Sequence, residues 1–117
     1  NSEDIIKVAT TDHLLWKWRI YNMMLGLEDI SIQEVTSHRD CNLGRWYYGD
    51  LPREITNLST FRALEEPHKK VHDCARRAVE QYQLGNTDHV KEILEQLEDA
   101  SETVVQLLEK LQGEVSS

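Results

Sequence analysis

His68 and His72 stand four residues apart in a helix-forming stretch. At about 100° per residue both imidazoles fall on one face, one turn apart. A single helix uses this spacing to offer two nitrogens to one metal ion. HxxxH also arises by chance, so the pair alone is weak evidence. It gains weight because both histidines belong to an apolar stripe that runs Leu58, Phe61, Leu64 or Glu65, His68, His72, Ala75, Val79 and Tyr82. His13 is a third candidate, the one polar member of the stripe Ile5, Ala9, His13, Trp16, Ile20, Met23 and Leu27. A lone core histidine is ordinarily a neutral ring bonded to a carbonyl. Three of them in a small domain are costly to bury unless they share a partner.

Structural zinc takes four ligands in a tetrahedron, so one more is needed. Cys41 fits best, in an irregular segment beside a helix start where backbone N–H groups favour a thiolate. His38 is the open alternative. Cys74, two residues beyond His72, points to another side of the helix, and His89 lies among polar residues near a helix start. Imidazoles with a thiolate suit Zn2+ and not magnesium or calcium. These groups come from separate parts of the chain, so an ion holding them staples the fold. Four protein ligands also leave no open position for a reacting water, and no HExxH is present, which argues against a zinc hydrolase. A metal-free helical interaction module and a Cys41–Cys74 disulfide switch are the rival readings of the same residues.

The elements that must position these groups are helical. The first stripe predicts a helix over 2–29, with Ser2 as its cap. The period fails between Ile30 and Pro52, where a short helix near Cys41 or Asn42, capped by Asp40, is expected. Pro52 opens the next helix, which runs to a stop at Gly85, with Pro67 kinking it just before His68. A last helix starts after Asn86 or Thr87, carries the stripe Val90, Ile93, Leu94, Leu97, Ser101, Val104, Leu108 and Leu111, and frays after Gly113. The expected fold is all-α, an antiparallel four-helix bundle with a short additional helix around the Cys41 segment. Trp16 and Trp46 are expected to pack around the site.

The whole of 1–117 reads as one domain, and the absence of an initial methionine suggests a piece of a longer protein. Its 21 acidic and 13 basic residues give a net charge of −8 with no strong basic patch, which argues against a nucleic-acid partner. The cluster Lys69, Lys70, Arg76 and Arg77 is interleaved with acids and reads as a solvated face. No apolar run approaches the ~20 residues needed to span a bilayer. Two cysteines make no disulfide framework, which points to a reducing, cytoplasmic setting.

Three segments, His13-Leu14-Leu15-Trp16-Lys17, Arg39-Asp40-Cys41-Asn42-Leu43-Gly44-Arg45-Trp46-Tyr47 and Pro67-His68-Lys69-Lys70-Val71-His72, together resemble the signatures of the chemoreceptor zinc-binding domain. The resemblance implies a helical bundle holding one Zn2+ through three histidines and one cysteine, at positions matching His13, Cys41, His68 and His72. It implies a homodimer that regulates and does not catalyse, as part of a bacterial cytoplasmic chemoreceptor and its kinase signalling complex. The stimulus would be zinc itself or an oxidant such as hypochlorous acid, sensed at Cys41. The tryptophan motifs are more similar to the chemoreceptor examples than to those that control a diguanylate cyclase, which remains the alternative.

Overall fold

The computed structural model describes residues 2–116, and among them every regular element is a helix. The helices are α1 (Ser2–Met24), α2 (Asn42–Tyr47), α3 (Arg53–Thr56), α4 (Ser59–Ala63), α5 (Glu65–Gln83) and α6 (Thr87–Ser116), with a 3-10 turn at Ile32–Glu34. Three are long. Glu3 faces Gln112, while Lys17 and Tyr21 both meet Glu98, so α1 and α6 run antiparallel. A three-residue connection folds α5 back along α6, which leaves α1 and α5 parallel. The short helices α2 and α4 pack on the sides of α1 and α6. No described helix is long and apolar enough to cross a membrane.

Several boundaries differ from the sequence expectation. The first helix stops at Met24, not Asp29, because Gly26 adopts a left-handed φ of 76°. Gly26 N–H then donates to the Met23 carbonyl, and Leu27 N–H to that of Asn22, which closes the helix end. Leu27, expected on the buried stripe, is 74% exposed. Gly85 does end α5 as expected, with the same pair of bonds to Tyr82 and Gln81. The cap expected of the Ser2 side chain lies outside the described residues, since that side chain is not among them.

The helix expected from Pro52 is divided into α3, α4 and α5. The last division falls at Leu64, and Pro67 occupies the first turn of α5. Proline has no N–H to give the carbonyl four residues back, at Ala63, and its ring crowds that carbonyl. The interruption therefore sits ahead of Pro67 and leaves the histidine-bearing turns regular. At the other end of the chain α6 continues helical through Gly113 to Ser116.

The core has two apolar clusters, one built around Ile20, Met23, Ala78, Val79 and Leu97, the other around Ile6, Leu43, Leu64, Val104 and Leu108. The buried polar residues His13, His68, His72 and Ser101 lie between the two sets along α1, α5 and α6. Trp16 packs on the first cluster and Trp46 on the second, against Phe61, both half-buried. All eight members of the expected α6 stripe are buried.

Candidate metal centre

α5 supplies His68 and His72 one turn apart, and their ring centroids are 4.9 Å from each other. α1 brings His13 against both, at 5.3 Å from His68 and 6.1 Å from His72. One nitrogen from each ring lies within 4.8 Å of one from the other two. Cys41 meets this group at His68, with Sγ 3.2 Å from Nε2. A tetrahedral zinc at ordinary bond lengths sets its ligand atoms about 3.3–3.6 Å apart. The Cys41–His68 pair already stands at that spacing, and the three histidine nitrogens, within 4.8 Å of one another, would draw in around an ion.

Burial holds the three rings neutral. It lowers the His13 pKa to about 4, with help from His72, and the His68 pKa to about 3, with help from His72 and His13. His72 is also pushed down by burial, against the opposing bond to Thr36. Neutral imidazole is the form that binds a metal. The Thr36 carbonyl can only accept, so His72 Nδ1 carries the proton of that 2.9 Å bond, and Nε2 remains for an ion. A donor set of three imidazoles and one sulfur fits zinc.

Cys41 arrives on a different kind of support. It is the N-cap of α2, and its sulfur accepts the Gly44 N–H at 3.3 Å. The expected cap, Asp40, instead accepts from Ser37 Oγ at 2.9 Å. Burial raises the thiol pKa, opposed by the backbone N–H groups of Gly44 and Leu43. α2 is fixed by Tyr47, whose ring stacks on Phe61 at 4.1 Å and whose hydroxyl donates to the Phe61 carbonyl. Asn42 Nδ2 ties the same helix to Asp12 on α1 at 2.9 Å.

The segment leading to Cys41 is pinned to α5 by side chains. Gln83, Arg76 and His72 donate in turn to the carbonyls of Ile30, Val35 and Thr36. Gly44 is where this segment crosses α2. A Cβ there would lie 2.0 Å from the His38 carbonyl oxygen and 2.7 Å from the Arg39 carbonyl carbon. Only glycine permits that approach. The sequence signals a turn residue at Gly44 but not the contact, which is tertiary.

The compact group of three histidines includes neither Cys41 nor its alternative His38. His38 turns its ring edge to His68 and to Tyr48 at 5.8 Å between centroids, whereas the Cys41 sulfur is 3.2 Å from His68 Nε2. Cys74 is 1% exposed in the first apolar cluster, away from the site, and His89 is exposed. A cavity of about 330 Å³ opens beside the site, lined by Asp12, His13, Trp16, Cys41, Asn42 and His72 among others. Small molecules thus have a way in to the sulfur.

The family model described as Chemoreceptor zinc-binding domain matches residues 13–79, a span that begins at His13 and contains Cys41, His68 and His72. No curated protein and no solved structure matches the chain.

Proposed function

The chain belongs to the chemoreceptor zinc-binding domain family, and from that premise we propose that it is a regulatory zinc-binding sensor, part of a longer bacterial chemoreceptor, whose ion is held by His13, Cys41, His68 and His72. One observation carries this reading. Three buried, neutral imidazoles meet with a cysteine sulfur in an otherwise apolar core, and a shared ion is the partner that suits them all. Zinc supplies a positive charge that keeps the thiol deprotonated near neutral pH, reversing the effect of burial.

Cys41 is then the responsive group. It is the one sulfur of the set, it lies on the least regular support, and the adjoining cavity reaches it. In the net reaction the Cys41 thiolate takes oxygen from hypochlorous acid, giving sulfenic acid and chloride. The sulfenic acid is a poor ligand. The sulfur leaves the histidines, the segment 37–41 loses one of its anchors, and the rearrangement passes along the helices to the kinase-controlling part of the receptor. Four protein groups closing the site make the role regulatory, with no place for a substrate water.

The same reading pairs two copies of the domain. Val8, Leu15 and Trp18 leave an apolar strip on the outer side of α1, with Trp18 67% exposed and Leu25 exposed just past the helix end. Trp18→Glu is expected to shift sedimentation toward the monomer, and an unchanged distribution argues against pairing through α1.

The test of function is to titrate zinc-loaded protein with hypochlorous acid, following zinc release with a chelating dye and cysteine oxidation by mass spectrometry. Zinc release in step with oxidation of Cys41, ahead of Cys74, Met23 and Met24, supports oxidant sensing. Retention of zinc while Cys74 or the methionines oxidise first leaves zinc concentration itself as the stimulus.

A further inference from the structure

Two long apolar stripes each contain one polar residue, and the two residues face the same groove. On α1 it is His13, 5% exposed, and on α6 it is Ser101, 9% exposed. Both line a groove of about 360 Å³ between these helices, together with Leu14, Lys17, Glu98 and Val105. Among the described residues, the buried side-chain polar atoms lacking a hydrogen-bond partner are His13 Nδ1 and Ser101 Oγ. Orphaned polar atoms in a packed interior are rare, and a matched donor and acceptor on one groove call for a common explanation.

His72 shows the arrangement such a ring needs. Its Nδ1 proton goes to the Thr36 carbonyl, which fixes the tautomer and directs Nε2 to the metal centre. His13 has no carbonyl in that role. We propose that Ser101 fills it: the Ser101 hydroxyl oxygen accepts the Nδ1 proton of His13 through one water in the groove, and so orients Nε2 toward the ion. The proton stays on Nδ1 throughout and the ring remains neutral. Ser101 is a positioning residue, and this inference rests on the metal-centre reading above. It also has a consequence for signalling. The four proposed ligands come from α1, the start of α2, and α5, so the Ser101 hydroxyl connects the ion to α6, the one long helix that carries no ligand.

The test is a chelator-competition titration of zinc on the whole chain, for the wild type, Ser101→Ala and Ser101→Thr. Nitrogen-15 imidazole spectra of the zinc-loaded wild type accompany it. Alanine is a good helix former and smaller than serine, so the fold is expected to survive. The expected result is a loss of about 10–100-fold in affinity in Ser101→Ala, as is usual when a group behind a metal ligand is removed. Ser101→Thr, which keeps the hydroxyl, recovers most of it, and the His13 proton resides on Nδ1. Equal affinity in Ser101→Ala, or a His13 proton on Nε2, overturns the proposal while the zinc site stands. A wild type that binds no zinc overturns the metal reading itself. If Ser101→Ala fails to fold, the wild-type spectrum alone decides.

Discussion

The two sides of the candidate site are built differently. On one side, α5 presents His68 and His72 from consecutive turns of a regular helix, both buried and packed against two apolar clusters. On the other, the half-buried Cys41 closes the site from the start of a short helix packed by Leu43 and Tyr47, and the chain before that helix, 36–41, has no buried residue. A helix in a packed core moves little, whereas a segment with few buried apolar contacts opens at low free energy. The stiff side provides affinity and the loose side provides response.

Removing a ligand from the stiff side should have the largest effect. His68→Ala or His72→Ala is expected to weaken zinc by more than the roughly 10–100-fold that supporting groups cost, measured by chelator competition. His72→Ala also frees the Thr36 carbonyl, so hydrogen exchange should quicken over 35–41. If either alanine variant keeps wild-type affinity, the division into stiff and loose sides fails.

Gly44→Ala comes next. The added methyl must displace the His38 and Arg39 backbone, at a cost of about 1–3 kcal/mol by the usual scale of overpacking. Thermal unfolding should register that loss, and zinc should weaken while α1, α5 and α6 stay helical by circular dichroism. An unperturbed variant would mean that the Cys41 segment lies elsewhere.

A smaller effect is expected at Asn42, whose amide joins α2 to Asp12. Asn42→Ala should cost about 0.5–1.5 kcal/mol, the range of an ordinary hydrogen bond, and should speed thiol labelling of Cys41 in the metal-free protein. The smallest belongs to Cys74→Ala. That sulfur sits in the first apolar cluster, so stability falls slightly and oxidant-driven zinc release stays as in the wild type. Loss of the response in Cys74→Ala would instead favour a disulfide between the two cysteines.

The histidines were legible in the sequence because each is polar on an otherwise apolar stripe, a pattern that depends only on helical period. His13, His68 and His72 do meet, and the α6 stripe is buried throughout. Ser101 belonged to that stripe too, but a small residue in a core stripe carries no signal until its neighbour is known. The ends of helices were harder to read. Gly26 stops α1 through its backbone conformation, and Pro67 interrupts the helix at Leu64 because it has no donor for the Ala63 carbonyl. That Cys41 and not Asp40 caps α2, and that Gly44 admits the crossing segment, depend on contacts distant in sequence.

The most direct test of the central claim is elemental analysis of the untagged protein beside Cys41→Ala and His72→Ala, each purified without added metal. The account predicts one zinc per chain in the wild type and a marked loss in both variants. A folded wild type without zinc, or a full zinc content in both variants, would contradict it.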